Sequence, residues 1–177
     1  MSATKTFRIV LIKPSHYDDD GYVIQWYRSW VPSNTLSVLY KLALESVERR
    51  ALGEDVDIVL DAYDETNTIL PTKNIINEIQ GAGNGMVGIV GVQSNQFPRA
   101  VDIATPFVNA DIPVIIGGFH VSGCLAMLPN IPQDIQAAMD QGITMVAGEV
   151  EEQFDELLRH AYHRTLQPMY NLSLIHI

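Results

Sequence analysis

Apolar residues follow two rhythms along this chain, short unbroken runs and longer stretches at helical spacing, and the two alternate about five times. The unbroken runs, short and rich in β-branched residues, predict buried parallel strands at 7–12, 56–60, 86–92, 113–116 and 144–147. Between the first two, Ser33 or Asn34 caps a helix whose apolar positions Leu36, Leu39, Tyr40, Ala43 and Val47 share one face, ending near Gly53. Pro71 opens a second helix reaching Gln80, and Pro98 a third running toward Ala110 with a kink expected at Pro106. Helices at 133–141 and 149–163 complete the set, the last with acids crowding its first turn, where the helix dipole favours them. Strands alternating with helices predict a single α/β domain: a flavodoxin-like, doubly wound parallel sheet of five strands in the order 2-1-3-4-5, with helices on both faces. Ligands of such sheets sit outside the carboxyl ends of the strands, so the segments after each strand carry the functional question.

A chain of 177 residues, 47% hydrophobic and 18% charged, suits one well-buried core. The net charge of −10, without a Lys/Arg cluster, excludes a surface built for a nucleic-acid backbone or an anionic membrane. The single cysteine, Cys124, excludes an internal disulfide and any multi-cysteine metal or iron–sulfur site within this chain, and points to the cytoplasm. No apolar run approaches the ~18 residues of a membrane span. The final LSLIHI, from Leu172 to Ile177, reads like a translated sequencing-library adapter, so the expected domain is 1–171, with 172–177 a non-native tail.

The loop after the first strand, beginning at Lys13, is far longer than the usual ~2–6 residues and holds both tryptophans, Trp26 and Trp30. Its triple acid, Asp18 to Asp20, reads as a solvated turn, since three adjacent carboxylates cannot all face one cation. After the third strand, Gln93, Ser94 and Asn95 offer hydrogen bonds without charge. After the fourth, Gly117 and Gly118 either form a tight turn or let a bulky ligand lie against the backbone, because no Cβ stands in the way. Phe119, His120 and Ser122 follow; a lone histidine there reads first as a packed, hydrogen-bonded residue. Cys124 reads as a small buried thiol, and His160 and His163, beside Glu156, as a solvated helix face. The glycines at 81, 83 and 85 precede a strand, and Met86 stands where a dinucleotide loop needs its third glycine. A phosphoacceptor site is also excluded, since its acidic positions read Lys13-Pro14 and Gln93-Ser94.

Three segments carry a resemblance: GVQS from Gly91, VIIGGFHVSG from Val114 and AGEVEEQFDELL from Ala147. In this order and approximate spacing they resemble the cobalamin-binding domain of radical S-adenosylmethionine enzymes, across Phe7 to Asn171. The resemblance implies a cofactor whose nucleotide tail inserts between sheet and helices, with the corrin ring over the carboxyl ends of the strands. Gly117 and Gly118 would then make room for the tail, Gln93 or Ser94 would hydrogen-bond it, and Gly148 with Glu149 would close the far wall. Asn95, Phe119 and His120 complete the implied cofactor-binding set.

Cobalamin-dependent mutases carry Asp-x-His-x-x-Gly after the first strand, and its histidine ligates cobalt. Here His16 stands near that place, but Pro14 and Ser15 precede it, Asp19 replaces the glycine, and Tyr17 is a candidate for the lower face instead. These departures favour the radical S-adenosylmethionine branch and imply base-off cobalamin without a firm histidine ligand. The implied chemistry is methyl transfer to an unactivated centre or a radical rearrangement. Its iron–sulfur cluster and S-adenosylmethionine would be bound by a downstream domain, because the Cys-x-x-x-Cys-x-x-Cys run is missing here. The chain is thus expected to be a module and not a catalyst alone. The competing readings are a free-standing corrinoid methyl carrier and a flavin- or nucleotide-binding domain, the latter opposed by Lys13-Pro14-Ser15-His16, which supplies no phosphate loop.

Overall fold

The computed structural model describes residues 4–26 and 33–172. Among these residues six strands form one wholly parallel sheet: β1 (Lys5–Lys13), β2 (Val56–Asp64), β3 (Gly85–Ile89), β4 (Val114–Gly117), β5 (Thr144–Gly148) and β6 (Met169–Leu172). Their order, β2-β1-β3-β4-β5-β6, keeps the expected 2-1-3-4-5 arrangement and adds a sixth strand at the edge. Six helices cover it: α1 (Asn34–Glu48), α2 (Thr72–Ala82), α3 (Phe97–Asn109), α4 (Phe119–Met127), α5 (Gln133–Asp140) and α6 (Phe154–Tyr162).

Side chains of a strand alternate between faces, and the two faces of this sheet bury separate cores. On one face Val10, Ile12, Val87, Ile89, Ile116 and Met145 pack against α2, α3, α4 and α5. On the other, Phe7, Ile9, Leu11, Met86, Ile115 and Val146 pack against α1 and α6. Ser33 caps α1, its Oγ accepting the Leu36 N–H at 3.2 Å. Pro106 lies inside α3, which runs on through it to Asn109.

The structure corrects the sequence reading at four places. The sheet has six strands because Met169–Leu172 pairs with Met145–Gly148, with Leu172 buried there. A four-residue edge strand makes too short an apolar run to register. The segment after β4 forms α4; Gly123 hides its helical rhythm, while Val121, Cys124 and Leu125 meet the core. It stops at Leu128, held extended before Pro129. Residues 149–150 are irregular and 151–153 a turn, and α6 begins only at Phe154, where Phe154, Leu157, Leu158 and Ala161 gain a sheet to cover. Finally, β3 ends at Ile89, two residues before Gly91 turns at φ 65°. Trp30 and residues 173–177 lie outside the described residues, and among those described no helix is long and apolar enough to cross a membrane.

Candidate functional site

The two helices on the second face differ in length. At ~1.5 Å per residue, the 15 residues of α1 span ~22 Å, whereas the 9 of α6 span ~13 Å. A clasp near the far end of α1 fixes their offset: Asp155 accepts hydrogen bonds from Ser46 Oγ at 2.5 Å and from the Arg49 guanidinium at 3.2 and 3.3 Å. Burial works against the Asp155 charge, but these hydrogen bonds outweigh it and hold the carboxyl below its usual range. The first turns of α1 therefore stand over the sheet beyond the start of α6. A cavity of about 390 Å³ fills that space.

Its floor is made by the absence of side chains. By strand alternation Gly88, Gly117 and Gly148 face it among Leu11, Met86, Ile115 and Val146. Val38 and Leu39 form one wall, Phe154, Leu157 and Leu158 the other, and Asn34, Thr35, Glu149 and Glu151 supply its polar groups. A Cβ on Gly117 would come no closer than 3.4 Å to the Val146 carbonyl, so the glycine keeps open room that a side chain would fill. Gly118 also lines the cavity, yet its glycine answers another demand. At φ 145° its Cβ would lie 2.2 Å from the Val92 nitrogen, where Val92 N–H donates to the Gly117 carbonyl and His120 N–H to the Val92 carbonyl.

Of the residues singled out from sequence, Gly117, Gly118, Gly148 and Glu149 line this cavity together. The rest stand elsewhere on the carboxyl rim. Gln93, Ser94 and Asn95 are exposed, Ser94 Oγ lies 3.2 Å from His120 Nδ1, and Phe119 is exposed. His120 is buried, tilted against Phe97 with ring centroids 4.3 Å apart, and its Nε2 lies 3.2 Å from Asp134. Cys124 is half-buried, its thiol pushed up by burial and then by Asp134.

The loop after β1 is tied to the opposite face. Ser15 is fully buried, its N–H donating to Glu65 at 3.0 Å and its hydroxyl to the Ile24 carbonyl. Glu65, 1% exposed, is gripped by the Arg99 guanidinium of α3 through contacts of 2.5, 3.1 and 3.2 Å. Arg99 also donates to the Tyr17 hydroxyl at 3.2 Å, which donates to Asp102 at 2.5 Å. Burial and the Asp102 hydrogen bond push the Tyr17 hydroxyl up, so it stays protonated. Tyr17 is thus held against α3, while half-buried His16 takes part through its carbonyl, which accepts the Ile24 N–H at 2.9 Å. Asp18 accepts the N–H groups of Asp20 and Tyr22, forming the expected solvated turn. Among the described residues no cluster of three or more His, Cys, Asp or Glu side chains is placed to hold a metal.

Sequence reasoning passed over Gly88, Gly91 and the α1 residues Asn34, Thr35 and Val38. One signal was available: a glycine inside the otherwise apolar run MVGIV marks a strand position where something other than a side chain packs.

Among solved structures, the chain is similar to a crystal structure of a cobalamin-binding protein from Desulfitobacterium hafniense DCB-2. The identity is 11% and the TM-score 0.45, over 93% of this chain and 60% of that one. The chain thus spans less than two thirds of that protein's length. No protein-family model and no curated protein matches it.

Proposed function

We propose that this chain binds cobalamin and serves as the cofactor-binding module of a radical S-adenosylmethionine enzyme. The observation that carries the reading is the apolar, glycine-floored cavity reaching the carboxyl ends of β3, β4 and β5. Its volume falls in the ~300–1,000 Å³ range of small-molecule sites. The residues fit an inserted nucleotide tail. Gly88, Gly117 and Gly148 give an aromatic base a flat floor, and Val38, Leu39, Phe154 and Leu157 exclude water around it. The N–H groups of Asn34 and Thr35 in the first turn of α1 lack helical acceptors and lie by the same cavity, where the helix dipole favours a phosphate.

When bound, the cofactor supplies cobalt-centred methyl transfer or radical chemistry; this chain holds and orients it. Base-off binding without a histidine ligand suits a loop whose neighbouring residues Ser15 and Tyr17 are committed to Glu65, Arg99 and Asp102. Strong nitrogen coupling in the Co(II) paramagnetic resonance spectrum, lost on His16→Ala, would contradict that part.

The test incubates the chain with hydroxocobalamin, and separately with flavin mononucleotide, removes free ligand by gel filtration and records the visible spectra. Corrin retained at near one equivalent, with no flavin, supports the reading. Retained flavin without corrin, from a folded sample, overturns it in favour of a nucleotide-binding domain. Source DNA beyond Asn171 then separates the module from a free-standing carrier: a three-cysteine run marks the former, an immediate stop codon the latter.

A further inference from the structure

On the other face of the sheet, at the same carboxyl rim, three side chains from three elements form a connected row. Ser94, just before α3, places its Oγ 3.2 Å from Nδ1 of His120 at the start of α4. The other ring nitrogen, Nε2, lies 3.2 Å from a carboxylate oxygen of Asp134 in the first turn of α5. None of the three lines the cavity described above. The row stands whether or not cobalamin binds there.

The arrangement is polarised. A carboxylate facing Nε2 keeps the ring proton on that nitrogen, which leaves the Nδ1 lone pair toward the serine hydroxyl. Asp134 is itself oriented, its second oxygen accepting the Ile135 N–H at 2.9 Å. The imidazole is fixed from the side by Phe97, and only 10% of its side chain is exposed. Ser94, at the far end, is open to solvent. Helix α3 begins three residues after Ser94 without a side-chain cap, so the Phe97 N–H lacks a helical acceptor. A nucleophile, a base with its lone pair aimed at it and a carboxylate holding the base are parts that acyl transfer requires.

We propose that Ser94, His120 and Asp134 form an acyl-transfer site that hydrolyses small carboxylic esters. Ser94 Oγ adds to the ester carbonyl as its proton passes to His120 Nδ1. The tetrahedral adduct expels the alkoxide, which takes that proton and leaves as the alcohol. Water, deprotonated in turn by His120, then releases the carboxylic acid and restores Ser94, so water is the only co-reactant. Ser94 and His120 are the catalytic residues, and Asp134 is a positioning residue. Exposed Phe119, adjacent to His120 in the chain, favours an apolar acyl chain. Cys124 Sγ lies 3.9 Å from the same Nδ1, but its raised pKa keeps it a thiol at neutral pH, making it a poor competitor.

The test treats the whole chain with a fluorophosphonate probe, maps the adduct by peptide mass spectrometry and follows p-nitrophenyl butyrate hydrolysis. The expected adduct is on Ser94, absent in Ser94→Ala and unchanged in Cys124→Ser. Asp134→Asn should slow hydrolysis by about 10²-fold and shift its pH profile. Ser94 is exposed and Asp134 half exposed, so both variants should fold, which circular dichroism checks. No Ser94 adduct in the folded chain, or equal hydrolysis by Ser94→Ala, overturns the proposal.

Discussion

Two adjacent glycines, alike in sequence, should respond to substitution with opposite signs. At Gly118 an alanine Cβ would sit 2.2 Å from the Val92 nitrogen and 2.7 Å from its carbonyl oxygen, and the backbone at φ 145° is closed to L side chains. Left-handed strain alone costs about 1–3 kcal/mol, and the clashing atoms are backbone held in hydrogen bonds. Gly118→Ala should therefore lose at least about 3 kcal/mol, which for a chain of this size lowers Tm by roughly 6–12 °C. At Gly117 the same Cβ meets ordinary contacts, and a leucine would extend into the cavity. Burying that side chain contributes about 1.5–3 kcal/mol, and relieving the glycine's disorder in the unfolded chain about 0.5–1 kcal/mol. Ordering the leucine costs about 0.5–1 kcal/mol. The net gain of about 1–3.5 kcal/mol means Gly117→Leu should raise the Tm of the ligand-free protein by roughly 2–14 °C while weakening hydroxocobalamin retention at least about a hundredfold, or about 2.7 kcal/mol. Thermal melts with and without cofactor read both effects. If Gly117→Leu melted as low as Gly118→Ala, the open floor would be wrong; if it melted high and still retained corrin, the tail would not use this cavity.

Three further outcomes follow from the same geometry. Glu65→Gln leaves Arg99 without its carboxylate and weakens the acceptor for Ser15 N–H. With Arg99 partly screened by water, urea denaturation should show a loss of about 2–3 kcal/mol, and a loss under about 1 kcal/mol would mean the pair does not anchor the loop. Asp155, whose folded pKa is depressed, contributes stability that is full above the ordinary carboxylate value of 3.8 and fades as pH falls below it. Asp155→Asn should accordingly lower the melting temperature at pH 7 and flatten its acid limb; parallel acid limbs for the two proteins would refute the clasp. Pro106 is exposed in α3 and supplies no N–H, so Pro106→Ala should stabilise by about 1–3 kcal/mol, visible as a higher urea midpoint.

The strands were legible because burial on both faces leaves a signature that needs no neighbours: runs such as FRIVLI and MVGIV admit almost no charge. Helices α1, α2 and α5 were legible for a similar reason, each having one face on the sheet. The losses share a cause. Helix α4 carries Gly123 in its middle, and β6 is four residues long, so tertiary contact decides their structure where local pattern is weak. The start of α6 failed in the other direction: Glu149, Glu151 and Glu152 make a plausible first turn, but no apolar side chain there gains by being helical until Phe154 reaches the sheet.

That misplaced helix start is also why the site was only half legible. Sequence could name Gly117, Gly118, Gly148 and Glu149, which stand where strands end, but not the space they border, because that space exists only where α6 fails to reach the height of α1. The difference is set by contacts distant in sequence, Asp155 with Ser46 and Arg49, seconded by Arg159 donating to the Ala51 carbonyl. If those contacts slid by one turn toward the start of α1, Phe154 and Leu157 would move ~5 Å into the cavity and close it. The same polar contacts that hold the two helices together, Asp155 with Ser46 and Arg49 and Arg159 with the Ala51 carbonyl, therefore also help keep the floor of Gly88, Gly117 and Gly148 uncovered, which links fold stability to ligand space.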